Sequence, residues 1–449
     1  MNHSSEFISE SPFDERWWQI FLERSGSMTR PMIVKDALEP SRVRAFEDHV
    51  LESLRCLGRL RTQRYGFRVY IDGRKLTTAE MDWMYDNAPS QGETLQQWVE
   101  RVFEGRKFGI IYNTGEKFVP ALADEVALML EPLFSKVGYP REGVQFSVFI
   151  GDYDKTPLGI HQDKRGENVM HLHIGPGNKT MHLWDPADYE KLLENEGLSR
   201  EDVAALQVHG KRYDFSSGDL FFMPEGTYHI GAQEGLSIGI TVWQYTHTDD
   251  MVARDLHDRI FRQIVPTPQD VVIRADSSEL DDTSGLEPIT NRYRLRSGLE
   301  KLSYADLLRE TYCDWRYSIR SNGGYRSSPF ERDDTSDLNL DSEVQLARPF
   351  PILVRKVDES RKLHVYVRGS RWELNNFACL SKMFDAINDG ERRPVRSLIA
   401  LLDSDWDPAV GLFLLREIHR RRGLSVTQSI SPLEQRETSR VIVETSETC

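Results

Sequence analysis

Between residues 144 and 245 the sequence becomes a series of short strand-like segments separated by turn residues. The clearest turn signal is Gly175-Pro176-Gly177-Asn178, which lies between two such segments. The strand-like segments are 145–150, 169–174, 180–184, 212–215, 219–223 and 236–245. Several short strands at close spacing, with turns between them, predict an antiparallel barrel or sandwich.

The strand-rich region contains a candidate metal site. His161 and Asp163 are two residues apart, so on an extended strand both side chains project to the same face. His229 follows the segment 219–223, and an antiparallel sheet would bring it back beside them. Two imidazoles and one carboxylate leave the other face of a metal open, which suits non-haem Fe(II). A double-stranded β-helix of the cupin, or jelly-roll, type would hold such a metal at its mouth.

Each candidate ligand also has a simpler explanation. A His-x-Asp sequence in a loop is common by chance, and a lone His229 would more often be a hydrogen-bonded histidine at a barrel rim. The combination is more specific, because Gly218-Asp219 opens the later strand and Pro224 precedes His229 by five positions.

A second pair of histidines, His171 and His173, also shares one strand face, and a cupin could recruit either of them. Their strand parity is opposite to that of Asn168, so we expect them to pack or to face outward. Lys164 and Arg165 follow the metal motif directly, and we expect them to form a solvated loop pair.

The region resembles the JmjC-type, cupin-like 2-oxoglutarate oxygenases, especially those that hydroxylate protein side chains. The matching residues are His161, Asp163, the run Lys179-Thr180-Met181-His182-Leu183-Trp184-Asp185-Pro186, Gly218-Asp219, Pro224 to His229, and Ile240-Thr241-Val242. The resemblance implies that His161, Asp163 and His229 bind Fe(II).

The resemblance also implies a co-substrate site, in which Lys179 receives the far carboxylate of 2-oxoglutarate while Asn168 and Thr156 line the pocket. Elementary electrostatics agrees, because a dianion held inside a barrel needs a cation at its far end. Fe(II) likewise needs open positions for a bidentate 2-oxo acid and O2. The alternative for Lys179 is a solvated lysine beside a turn.

The remaining chain predicts helical and mixed segments around the barrel, giving an α+β protein with helical cladding. A hairpin turning at Asp72-Gly73 and an amphipathic helix at 121–137 are the clearest N-terminal elements. Residues 320–345 are rich in Ser, Gly, Asp and Arg and predict a mobile loop.

The predicted division is an N-terminal segment 1–143, a catalytic barrel 144–249, a helical region 250–348, a winged-helix-like module 349–430, and a polar tail 431–449. This order is similar to that of ribosomal-oxygenase-like hydroxylases, and the apolar stripe of a helix at 250–265 would allow a homodimer.

Composition limits the classes of function. A chain of 449 residues predicts two or three domains. Its formal charge of -14 argues against a protein that coats nucleic acid and fits a basic peptide or protein partner better. The four widely separated cysteines favour a reducing compartment. The polar N-terminus and the absence of a long apolar run lead us to expect a cytoplasmic protein that does not enter the membrane.

These observations predict an oxygenase that depends on Fe(II), 2-oxoglutarate and O2, and that hydroxylates a side chain of a protein or peptide. Two alternatives remain open on the sequence. One is a small-molecule oxygenase or demethylase in a biosynthetic pathway, and the other is a non-catalytic, cupin-like metal-binding protein.

Overall fold

The fold is described from a computed structural model of the chain. It covers residues 12–153, 159–195, 198–264, 303–356 and 362–427, together with a few positions between 279 and 287. Thr156 and the tail after residue 427 lie outside these ranges.

The helices in the described ranges are α1 Glu15–Arg24, α2 Pro40–Leu60, α3 Met81–Asp86, α4 Leu95–Phe103, α5 Pro120–Val137, α6 Pro186–Asn195, α7 Val203–His209, α8 Asp249–Ile264, α9 Tyr304–Ser321, α10 Ala378–Asn388, α11 Val395–Ile399 and α12 Pro408–Arg420. The strands are β1 Met32–Val34, β2 Arg68–Ile71, β3 Arg74–Lys75, β4 Phe108–Tyr112, β5 Val144–Asp152, β6 His161–Gln162, β7 Glu167–His173, β8 Asn178–Trp184, β9 Lys211–Phe215, β10 Leu220–Met223, β11 Tyr228–Glu234, β12 Ser237–Tyr245, β13 Glu343–Leu346, β14 Leu353–Lys356, β15 Lys362–Val367, β16 Ser370–Asn375, β17 Arg393–Pro394 and β18 Leu424–Thr427.

Two antiparallel sheets form the barrel. The major sheet has the order β1-β10-β7-β12-β5-β4-β2-β3, and the minor sheet has the order β6-β11-β8-β9. Along the chain, β5 to β12 enter the two sheets in the pattern of a jelly roll, with β5, β7, β10 and β12 in one sheet and β6, β8, β9 and β11 in the other. The mixed α+β class and the antiparallel sheets agree with the sequence prediction.

Helices cover the outer faces of both sheets. Trp18 of α1 and Leu130 of α5 pack in one core with outward-facing residues of the major sheet such as Met170 and Phe222. The indole N–H of Trp18 donates to the carbonyl of Met129 at 2.8 Å, which ties α1 to α5. A smaller core under α6 and α7 covers the minor sheet. The inner faces are therefore left to form a cavity.

The N-terminal segment supplies strands as well as helices. β1 pairs with β10 at one edge of the major sheet, and β4 pairs with β5 toward the other edge. The predicted hairpin is confirmed, because β2 pairs with β3 and both turn residues have left-handed backbones, with φ of 49° at Asp72 and 78° at Gly73. The helix predicted at 121–137 is also confirmed as α5.

The C-terminal region docks on the barrel through specific contacts. Arg368 is 2% exposed and donates to a carboxylate oxygen of Asp124 on α5 at 2.9 Å. The Arg368 guanidinium also lies 3.3 Å from the ring centroid of Phe350. β13 to β18 and α10 to α12 enclose a core of their own. The winged-helix-like assignment for this module stays a prediction.

The mobile loop predicted at 320–345 is wrong for its first part. Tyr325 is 2% exposed, and its hydroxyl donates to the carbonyl of Ala123 at 2.8 Å. Burial of this aromatic ring in the main core holds the segment in place, although its polar composition predicted a mobile loop. No helix in the ranges that the structure covers combines the length and apolar character needed to cross a membrane.

Glu116 gives a test of the core. It is 1% exposed, it accepts a hydrogen bond from the Phe146 amide at 3.2 Å, and burial raises its pKa to about 8 from 4.5. The folded state therefore binds this proton more tightly, so the stabilisation is complete below pH 4.5 and is lost as the pH rises through about 8. Glu116→Gln should remove this dependence. Urea unfolding should show the wild type losing stability relative to the variant across that window, by on the order of a few kcal/mol.

The exposed Glu131 provides the matched control. Glu131→Gln should leave the pH dependence of the free energy of unfolding as it is in the wild type. Parallel stability curves for the wild type and Glu116→Gln would contradict the assignment.

Candidate metal centre

Three side chains converge at the mouth of the barrel. His161 lies on β6 and pairs directly with His229 on β11, and their rings are 4.3 Å apart between centroids. Asp163 follows β6, and its Oδ2 is 3.8 Å from His229 Nε2. One ligand atom from each of these residues lies within 4.8 Å of the others. A single metal ion placed among them would therefore reach all three.

Backbone carbonyls orient both imidazoles. His161 Nδ1 donates to the carbonyl of Gly159 at 2.9 Å, and His229 Nδ1 donates to that of Thr227 at 3.1 Å. A carbonyl oxygen only accepts, so each Nδ1 carries the proton and each Nε2 keeps its lone pair. Ligating histidines in metal sites are held in the same way.

The electrostatics of the cluster favours a bound cation. Burial and the charge of Glu167 raise the pKa of Asp163 to about 7. Burial and the neighbouring His161 lower the pKa of His229 to about 3. Asp163 Oδ2 is buried and accepts no hydrogen bond from the described residues. A divalent ion would compensate the carboxylate and use both lone pairs, so the donor set fits Fe(II).

The cluster opens into a cavity of about 340 Å³ between the two sheets. Lys179 on β8 lines the same cavity and is 5% exposed. No carboxylate in the described part of the chain forms an ion pair with it. Apolar residues including Phe149, Val169 and Phe221 form much of the wall. An unpaired cation buried in an apolar cavity is unfavourable unless an anion joins it.

The other two predicted pocket residues do not join this arrangement. Asn168 faces away from the cavity, and its side-chain oxygen accepts from the amide of Glu225 at 3.0 Å. Thr156 lies outside the described residues. The structure thus brings together His161, Asp163, His229 and Lys179, and it places Asn168 elsewhere.

The predicted orientation of β7 is reversed. Glu167, Val169 and His171 line the cavity, so the expectation that His171 faces outward or merely packs is wrong. The expectation rested on Asn168 lining the pocket, and the structure puts the opposite face of β7 there instead. The apolar Met170 and Leu172, which pack in the main core, alternate with His171 and are the signal that could have placed it in the cavity.

A larger groove of about 1030 Å³ lies beside the cavity. Asp163 contributes to the walls of both. The groove is lined by aromatic and charged side chains, among them Trp184, Tyr213 and Arg165. The candidate metal centre therefore borders an open surface large enough for a segment of polypeptide.

The structure is thus a jelly roll with two histidines and one carboxylate at its mouth. No protein-family model matches the sequence, and no curated protein matches it. Among solved structures, the ribosomal oxygenase YcfD of Escherichia coli is similar at 14% identity, covering 91% of this chain and 98% of that chain with a TM-score of 0.46. A structure of YcfD with cobalt and 2-oxoglutarate gives 13% identity, the same coverage and a TM-score of 0.45. The likeness is distant.

Removal of the carboxylate should abolish metal binding. Asp163→Ala is expected to weaken Mn(II) binding by on the order of 100-fold or more, because one of three ligands is lost. Isothermal titration of metal-free protein measures this directly. Asp188→Ala, which removes an exposed acid on α6, is the control. Equal Mn(II) affinity in Asp163→Ala and the wild type would show that the three residues do not form the metal site.

Proposed function

We propose that this protein is an Fe(II)- and 2-oxoglutarate-dependent oxygenase that hydroxylates a side chain of a protein or peptide. The observation that carries the proposal is the presence of the unpaired Lys179 in the same buried cavity as His161, Asp163 and His229. The three-residue cluster alone would fit many metals and many reactions. The added cation selects a co-substrate with a distant negative charge.

The cluster would hold Fe(II) through His161 Nε2, His229 Nε2 and the Asp163 carboxylate. With 2-oxoglutarate and O2, bound iron supplies the oxidising chemistry that inserts oxygen into a C–H bond and leaves succinate and CO2. The apolar cavity wall excludes water from the reacting atoms. We assign no general base, since the chain's part in this chemistry is to bind, orient and exclude water.

Strand register supports the role of Lys179. On β11, His229 and Gln233 lie on the same face. Gln233 pairs with Lys179 on the neighbouring strand β8. Four residues along a strand span roughly 13 Å. The lysine side chain and a five-carbon dicarboxylate together can bridge that distance. Lys179 would therefore bind the carboxylate farther from the metal.

The groove supports a polypeptide substrate over a free amino acid or another small molecule. Its volume of about 1030 Å³ exceeds the cavity's 340 Å³ threefold, and Asp163 links the two. A side chain of a bound segment would reach the metal while its backbone stays in the groove. The net charge of -14 favours a basic partner over nucleic acid.

The compartment, the oligomeric state and the domain division complete the proposal. The three cysteines in the described ranges are free, which fits a reducing cytoplasmic environment. A homodimer through α8, the division of the chain into domains and the winged-helix-like module remain proposals. In the basic run His419-Arg420-Arg421-Arg422, Arg420 and Arg421 both pair with Glu417, which favours a structural role for the run.

Co-substrate turnover tests the function. Purified protein with Fe(II) and carboxyl-labelled 2-oxoglutarate should release labelled CO2 faster when a desalted cellular protein extract is added. Mass spectrometry of the extract should then find peptides that have gained the mass of one oxygen atom. Stimulation by free amino acids alone would contradict a protein substrate. Protein that binds neither iron nor 2-oxoglutarate would exclude the oxygenase.

Lys179 can be tested separately from the metal. Lys179→Ala should raise the 2-oxoglutarate concentration for half-maximal turnover by on the order of 100-fold, because the far carboxylate loses its counter-charge. Mn(II) affinity should stay unchanged. Lys191→Ala, which removes an exposed lysine on α6, should have no effect on either quantity. An unchanged 2-oxoglutarate requirement in Lys179→Ala would assign the role to another residue.

A further inference from the structure

His171 is a buried polar residue in the cavity that the metal cluster does not use. It lies on β7, is 6% exposed, and lines the same cavity as Lys179. Its Nδ1 is 2.9 Å from the hydroxyl oxygen of Thr241 on the neighbouring strand β12. Its Nε2 is also buried, yet it has no hydrogen-bond partner among the described residues. A buried nitrogen of this kind needs a partner.

The imidazole is held in one orientation by its surroundings. A Cβ atom at Gly239 would lie 1.9 Å from His171 Cε1, so the ring occupies space that only a glycine leaves open. The rings of Phe215 and His173 lie 5.4 Å and 5.8 Å away between centroids. His171 is therefore a preorganised group rather than a mobile one.

His171 is neutral, so its ring carries one N–H proton, on either Nδ1 or Nε2. Burial, with a smaller contribution from Lys179, holds its pKa well below the usual value, so the ring is neutral. The contact with Thr241 is compatible with the tautomer in which the hydroxyl donates to Nδ1 and the ring proton lies on Nε2. With that tautomer, an N–H donor lines the same cavity as the ammonium group of Lys179.

We propose that His171 Nε2–H donates a hydrogen bond to the carboxylate of 2-oxoglutarate that Lys179 binds. This inference rests on the proposed function. His171 and Lys179 then form a two-residue anion site. The lysine contributes a positive charge, and the histidine contributes a hydrogen bond of fixed direction. Thr241 acts as a positioning residue, because its hydroxyl sets the histidine tautomer.

The position of the acidic residues supports a carboxylate ligand at this end. Asp163 follows β6 and Glu167 begins β7, and both line the cavity, where the charge of Glu167 acts on Asp163. His171 is four residues farther along the same strand, opposite Thr241. His171 is also outside the group of residues that could share a metal ion in the described ranges. The cavity thus separates a cation-binding end from an anion-binding end.

The test compares two ligands that differ only at the far carboxylate. Binding of 2-oxoglutarate and of 2-oxopentanoate, which lacks that carboxylate, is measured by calorimetry on Mn(II)-loaded protein. His171→Leu should weaken 2-oxoglutarate binding by on the order of 10- to 100-fold and leave 2-oxopentanoate binding nearly unchanged. Mn(II) affinity should not change.

Two further variants keep the test independent of folding. Thr241→Val retains the imidazole and removes only the hydroxyl, so it should weaken 2-oxoglutarate binding about fivefold. His182→Gln is the control, because His182 lies on the other face of β8 from Lys179 and its Nδ1 contacts Gln207 at 3.1 Å. It should bind both ligands as the wild type does. Thermal unfolding of each variant identifies any general loss of structure.

The outcomes separate this inference from the proposed function. Wild-type protein that binds Mn(II) but prefers neither ligand would overturn the 2-oxoglutarate assignment itself. Wild-type protein that prefers 2-oxoglutarate, with the same preference in His171→Leu, would overturn the role of His171 and leave the function intact. Equal weakening of both ligands in His171→Leu would show a merely structural role and would also overturn the inference.

Discussion

The pairing of His161 with His229 is the constraint on which the candidate site depends. β6 contains only two paired residues, so this strand has few hydrogen bonds of its own to hold it. β11 is anchored by a seven-residue ladder with β8, running from Tyr228 opposite Trp184 to Glu234 opposite Asn178. The same ladder also sets Lys179 opposite Gln233. One antiparallel ladder therefore sets the positions of both His229 and Lys179 in the cavity.

The charged and polar groups of the cavity are only partly compensated by the protein itself. An isolated carboxylate, an isolated ammonium and two neutral imidazoles would each destabilise an apolar barrel. The protein stabilises them only in part, through carbonyls behind His161 and His229 and through the hydroxyl beside His171. A cation near Asp163 and an anion near Lys179 would compensate the remaining charges. The arrangement is that of a binding site, in which folding stability is given up for ligand affinity.

The sequence predicted the parts of this site that depend on strand pattern and chemistry. His161, Asp163 and His229 meet as expected, and Lys179 shares their cavity, because alternation along β8 and β11 can be followed residue by residue. The expected orientation of β7 depended on Asn168 lining the pocket, and the structure places His171 on that face instead. Tyr325 was missed for a different reason: its burial depends on α5, which is distant in sequence and leaves no local pattern.

Gly239 has no functional group, yet its missing side chain shapes the cavity around His171. A single methyl group there would compete with the His171 ring for the same space. Because the ring is enclosed by Phe215 and His173, it could yield only toward Lys179 or by shifting β12. A substitution at this one position would therefore move the His171 ring while every residue that lines the cavity stayed the same. A comparison of site residues alone would overlook such a change, so residue 239 belongs in any account of how proteins of this fold diverge in affinity.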